Sequence, residues 1–136
     1  MGAEPYLAAS VLEGLLAQRL GRRLCSDCME WTTLSEDLSH RLTPRERELL
    51  DGKMPVSHGC ETCKNQGFYG RLGFFELIRV TPTLRAAIAE SSAVYELRKN
   101  LPDDFRTMRD DGMDKVSRGE TSIDEVLRAT QDVDEA

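Results

Sequence analysis

Apolar residues recur along the first two dozen positions at three- and four-residue intervals: Leu12, Leu15, Leu16 and Leu20, with Leu7, Ala8 and Val11 extending the series. That is the period of a helix, and Pro5 suits its first turn. The spacing predicts a helix over 5–23, roughly 28 Å long at ~1.5 Å per residue. Its apolar cover is wider than one stripe, because Leu7, Val11 and Leu15 fall beside Ala8, Leu12 and Leu16. A helix of that kind needs neighbours on more than one side. Part of its packing partner is therefore expected from outside this chain.

Further along, Thr43-Pro44-Arg45-Glu46 has the form of a capping box with proline at the first helical position, predicting a short helix towards Asp51-Gly52. Trp31, Leu34, Leu38, Leu42, Leu49 and Leu50 are positioned to form a miniature core around it. Gly67, Gly70 and Gly73 then allow tight turning and a doubling back into a hairpin. Phe74 to Val80 alternates as a strand, with Phe74, Glu76, Ile78 and Val80 on one face and Phe75, Leu77 and Arg79 on the other.

Four helices follow. The first starts at Thr81-Pro82 and carries Leu84 and Ile88; the second carries Val94, Leu97 and Leu101 after a cap near Ser91 or Ser92. Phe105, Met108, Gly112 and Val116 line one face of a third, which Gly119 can close. Ser122 to Glu125 repeats the capping-box pattern ahead of Ile123, Val126, Leu127 and Thr130, and residues beyond Gln131 are expected to fray. The expected fold is mainly α with a small β-hairpin (α+β), a four-cysteine module lying between an N-terminal helix and a C-terminal helical bundle. The corresponding divisions are 1–23, 24–66 and 67–136.

The 136 residues suit one domain or two small modules, and no stretch approaches the apolar length of a membrane span. Charge is unevenly placed. Of the formal −6, all falls from Asp103 onward, where eleven acidic residues face five basic ones. An acidic carboxy-terminal third disfavours nucleic acid, although Arg19, Arg22, Arg23 and Arg41 could form a local basic patch. Solvated helix charges or ion pairs explain those arginines more simply.

The chemistry lies in the cysteines. All four are set as two C-x2-C pairs, Cys25/Cys28 and Cys60/Cys63, and together they can supply the four-sulfur tetrahedron that zinc prefers. No secretory signal opens the sequence, so a reducing compartment and metal binding are expected ahead of disulfides. A thioredoxin-like pair would need a helix-opening cysteine in a β-α-β setting, which neither pair has. His40 and His58 could compete as ligands, but four sulfurs already close the site. The glycine run lacks the Gly-Lys-Ser/Thr ending of a phosphate-binding loop.

Several stretches resemble one family, in its order. They are Gly2-Ala-Glu-Pro-Tyr-Leu7, Leu16-Ala-Gln-Arg-Leu20, Arg23-Leu-Cys-Ser-Asp-Cys28, Cys60-Glu-Thr-Cys63, Gly67-Phe-Tyr-Gly-Arg-Leu-Gly-Phe-Phe-Glu-Leu77, Met108-Arg-Asp-Asp-Gly-Met-Asp-Lys-Val116 and Gly119-Glu-Thr-Ser-Ile-Asp-Glu-Val-Leu-Arg-Ala-Thr130. With them the chain resembles the carboxy-terminal, zinc-containing region of the type II secretion and type IV pilus assembly ATPases. The resemblance implies that Cys25, Cys28, Cys60 and Cys63 are structural zinc ligands. It also implies that residues 1–23 continue from an ATPase core, the sequence beginning just after the family's histidine box.

In that family the nucleotide site lies upstream of this region. The chain alone is thus expected not to be an enzyme, ATP and Mg2+ belonging only to the full-length parent. The implied partners are an inner-membrane platform protein and neighbouring ATPase subunits. Neither nucleic-acid binding nor membrane insertion is expected, the location is cytoplasmic and peripheral to the inner membrane, and oligomers belong to the full-length context. Arg19 and Arg71 lie in matching motifs, where ion pairs and subunit contacts explain them equally. The alternative function is a stand-alone zinc ribbon binding nucleic acid, with Trp31, Phe68 and Tyr69 as stacking rings.

Overall fold

The first element departs from the expected one. In the computed structural model, which describes residues 13–90 and 93–135, Gly14–Leu24 forms a strand, β1, where a helix was predicted. The earlier part of that predicted helix lies outside the described residues. Leucines 15, 16 and 20 satisfy a helical period, but they remain exposed, at 45%, 67% and 58%. What decides the conformation is a distant partner: β1 pairs with β4, Phe68–Arg79. The Val80 N–H donates to Glu13 O and the Cys25 N–H to Gly67 O, so the two strands run antiparallel. Side-chain packing and pairing outweigh the weak local helix preference of such a segment.

Between these strands lies the cysteine module. It contains β2 (Met29–Thr33), α1 (Glu36–His40), α2 (Pro44–Leu50) and β3 (Lys53–Ser57). β2 and β3 pair antiparallel with Trp31 opposite Pro55, a sheet that the sequence reading passed over. The cysteine module thus sits between paired strands, so its placement after an N-terminal helix is corrected. The predicted local hairpin at the glycines is also corrected, since β4 finds its partner across the whole module. Gly67 and Gly70 do adopt φ of +80°, which side-chain-bearing residues resist.

The predicted capping box at α2 is present in full. The Thr43 N–H donates to Glu46 Oε1 at 2.8 Å and the Glu46 N–H to Thr43 Oγ1 at 3.2 Å. Glu46 also receives Arg109 Nε and Nη2, both at 2.8 Å, from α5 (Met108–Ser117). That contact ties the module to the C-terminal helices. Accordingly Leu42 and Leu50 are buried in one core with Leu72, Phe74, Met108, Met113, Val116, Ile123, Val126 and Leu127, and the module has no separate miniature core. Trp31 and Leu49 stay exposed at 45% and 44%.

The residues divide into two compact units. One holds Gln18–Phe75 together with Met108 onward, and includes the core just described. Within it α5 packs on α6 (Ile123–Glu135) through Gly112, where an added Cβ would stand 2.8 Å from Val126 Cγ1. Gly119 ends α5 with φ +78°, against Met29 and Trp31. α6 runs on to Glu135, beyond the expected fraying point at Gln131. The other unit holds, among the described residues, Glu76–Thr107 together with 13–17. There α3 (Pro82–Ala89), capped by Thr81, buries Leu84 and Ala87, followed by α4 (Val94–Lys99). α4 is preceded by Ala93, without a side-chain cap; Ser91 and Ser92 lie outside the described residues. With six helices and two small antiparallel sheets among the described residues, the fold is α+β.

Candidate metal centre

The end of β1 delivers Cys25 and the following turn Cys28, whose N–H donates back to Cys25 O at 3.4 Å. Cys60 and Cys63 occupy the turn between β3 and β4. That turn closes through Asn65 N–H to Cys60 O at 2.8 Å and Gln66 N–H to Cys63 O at 3.1 Å. Lys64 and Asn65 take positive φ, 55° and 62°, so this knuckle curls back on itself. Gly59 has φ +101° and leaves no room for a Cβ against the Asn65 backbone 3.0 Å away.

All four sulfurs lie within 4.8 Å of one another. Cys25 to Cys60 is 3.7 Å, Cys28 to Cys63 is 3.8 Å and Cys60 to Cys63 is 3.8 Å. A tetrahedral ion with metal–sulfur bonds of ~2.3 Å requires sulfur–sulfur edges of about 3.8 Å. A disulfide would bring two sulfurs to ~2.05 Å. Three of the six edges thus have the length a tetrahedral metal shell requires, and the cluster could hold a metal ion such as zinc.

The donors are not equivalent. Cys25 and Cys63 are buried, while Cys28 and Cys60 are half-buried. Burial pushes the Cys25 thiol up to about 11 and also raises that of Cys28. At Cys63 burial acts in the same direction but is outweighed by two backbone donors, the Cys60 N–H at 3.2 Å and the Gly67 N–H at 3.3 Å from Sγ, bringing it to about 6. Hydrogen bonds to the charged form favour it, so Cys63 is the sulfur best prepared as thiolate. A metal bound here must displace the protons of Cys25 and Cys28.

His40 and His58 stand outside the cluster. His40 lies 3.9 Å from Glu36, and His58 Nε2 is 2.8 Å from Glu30 across the β2–β3 pair. Arg22 is not part of a basic patch. Its backbone N–H, Nε and Nη2 all reach Glu125, at 2.8, 3.0 and 2.7 Å, and its guanidinium lies 4.0 Å over the Phe68 ring. Arg23 approaches Glu120 at 3.7 Å. Arg19 and Arg71 are exposed. Glu125 answers the predicted box only in part: its N–H meets Ser122 Oγ at 3.3 Å, while its carboxylate serves Arg22.

These contacts, together with Leu24 N–H to Glu120 O and Thr121 Oγ1 to Arg22 O, anchor the residues just before Cys25 on the α5–α6 turn. Sequence reading missed this anchor because its partners lie about a hundred residues apart. It also missed the donors to Cys63, although glycine four residues after the second cysteine was their visible signal.

Two antiparallel sheets and a helical pair around four converging thiols define an α+β module able to hold a metal. The Type II/IV secretion system protein family matches residues 1–128, and the chain belongs to that family. It is 38% identical over 132 residues to Type II secretion system protein E of Aeromonas hydrophila, covering 97% of this chain and 26% of that protein. Against Type II secretion system ATPase E of Vibrio cholerae it is 37% identical over 138 residues, again 97% of this chain and 26% of the relative. Type IV pilus assembly ATPase PilB of Thermus thermophilus is 33% identical over 131 residues, 96% of this chain and 15% of that protein. The chain thus spans about a quarter, or less, of the length of these relatives. No helix among the described residues is long and apolar enough to cross a membrane.

Proposed function

We propose that this chain is the zinc-bearing part of a secretion or pilus-assembly motor ATPase and acts as a structural and protein-interaction module. The observation that carries the reading is the sulfur cluster, whose 3.7–3.8 Å edges match a tetrahedral zinc shell. Cys25, Cys28, Cys60 and Cys63 would hold the ion. Bound zinc supplies a cross-link whose binding energy becomes folding energy, ~10–16 kcal/mol in small zinc peptides. The chain's own groups prepare that link. The Cys60 and Gly67 N–H groups orient Cys63, and the Arg22–Glu125 contact holds the strand leading into Cys25.

The relatives named above as ATPases support a motor context. This sequence carries no Gly-x-x-x-x-Gly-Lys-Ser/Thr loop, so phosphate binding with Mg2+ is assigned to the rest of a full-length protein and turnover is not assigned to this module. A platform protein at the inner membrane and adjacent subunits are the partners the resemblance implies, on the cytoplasmic side. The test is elemental analysis of protein purified under reducing, chelator-free conditions, with a nucleotide-turnover assay in parallel. One zinc per chain and no turnover are expected. Protein without stoichiometric metal refutes the zinc reading, and metal-dependent ATP hydrolysis by this chain refutes the division of labour.

A further inference from the structure

We propose that the cysteine cluster is an oxidation-sensitive switch, in which a hydroperoxide joins Cys28 to Cys63 and Cys25 to Cys60 as disulfides and expels the metal. The inference rests on the zinc reading above and adds a regulation to that site. Each cross-knuckle pair contains one half-buried and one buried sulfur. Access decides which sulfur an oxidant reaches first, so the half-buried Cys28 and Cys60 meet it and the buried Cys63 and Cys25 wait behind them to resolve it. The separations are 3.8 and 3.7 Å, so each sulfur has to advance by about 0.9 Å to reach disulfide bonding distance. Cys60 and Cys63 also stand 3.8 Å apart, but joining them takes away the opposite-knuckle partners of both Cys25 and Cys28. Pairing Cys25 with Cys60 and Cys28 with Cys63 joins every sulfur to an opposite-knuckle neighbour no more than 3.8 Å away.

The chemistry balances as follows. The Cys28 thiolate attacks one oxygen of hydrogen peroxide, the O–O bond breaks, and the departing hydroxide takes a proton to become water. The resulting sulfenic acid is attacked by the Cys63 thiolate, forming the S–S bond and releasing a second hydroxide, which is also protonated. Two sulfurs are thereby oxidised by two electrons and one peroxide is reduced to two waters. Cys60 and Cys25 repeat the sequence with a second peroxide. Four protons are consumed in all, four waters form, and the zinc leaves as the divalent ion. Because the new bonds still tie the two knuckles together, the end of β1 and the start of β4 stay joined after the metal has gone.

The experiment treats the zinc-loaded chain with hydrogen peroxide while a metallochromic dye reports released zinc, followed by digestion without reductant and mass mapping of the disulfides. One zinc released per two peroxides consumed, Cys25–Cys60 and Cys28–Cys63 peptides, and recovery of bound zinc after dithiothreitol and added zinc are expected. Zinc retained while peroxide is consumed, disulfides within each knuckle, or irreversible oxidation to sulfinic acids overturns the switch. Reduced protein that carries no zinc at the outset refutes the metal reading instead. On that same sample, crossed disulfides still support the pairing and within-knuckle disulfides overturn it.

Discussion

Replacing Glu125 with glutamine tests how the β1 strand is fastened ahead of the cysteines. Glu125 is 5% exposed, and both its oxygens are occupied: Oε2 accepts the Arg22 backbone N–H and Oε1 accepts Nε and Nη2. Glutamine keeps the shape but presents an NH2 to one of those donors, so at least one charge-assisted bond is lost. Such bonds contribute ~1.5–3 kcal/mol. The Arg22 side chain is 47% exposed and partly screened, which places the expected loss near the lower end, about 1.5 kcal/mol.

The pH dependence follows from the same contact. Burial tends to raise the Glu125 carboxyl, but the Arg22 hydrogen bonds, with the nearby Arg22 and Arg128 charges, hold it below its ordinary 4.5. A depressed carboxyl stabilises the fold fully above the unfolded value, and that contribution disappears as the pH falls through the folded value. Urea unfolding followed by circular dichroism should therefore show wild type more stable than Glu125→Gln at neutral pH, with the gap closing in acid. Equal stability at neutral pH, or a gap that persists undiminished in acid, would refute the reasoning.

The second tie, between α2 and α5, should be stronger. Arg109→Ala leaves the 6%-exposed Glu46 without its cation and is expected to cost ~3–5 kcal/mol, with a double-mutant cycle against Glu46→Gln showing strong coupling in chemical denaturation. Thr43→Ala, which removes only the cap bond to the Glu46 N–H, should cost ~1 kcal/mol in the same measurement. Zinc removal by a chelator should speed hydrogen exchange first at the Cys60 and Gly67 amides, which donate to Cys63. The amides of α6, whose Val126 is fully buried, should stay protected; simultaneous loss at both places would contradict this order. Gly21→Ala places a Cβ 2.5 Å from Cε2 of the fully buried Phe74, and calorimetry should show a lower Tm, for an overpacking cost of ~1–3 kcal/mol.

What the sequence determined by itself was whatever depends on neighbours three or four residues apart. The two C-x2-C spacings announced two sulfur pairs, Thr43 and Glu46 announced their capping box, and Phe74 to Arg79 announced its alternation, because each is a local geometric relation. The tertiary structure alone decided the rest. Leu15, Leu16 and Leu20 suit a helix or a strand, and only pairing with β4 made Gly14–Leu24 extended. The β2–β3 sheet, the merging of Leu42 and Leu50 into the C-terminal core, and the diversion of the Glu125 carboxylate from its own helix cap to Arg22 arise between residues far apart in sequence. Their physical cause is competition. A nearby cap bond and a distant guanidinium offer the same carboxylate comparable gains, and the folded chain, by bringing the stronger donor within reach, settles which one it takes.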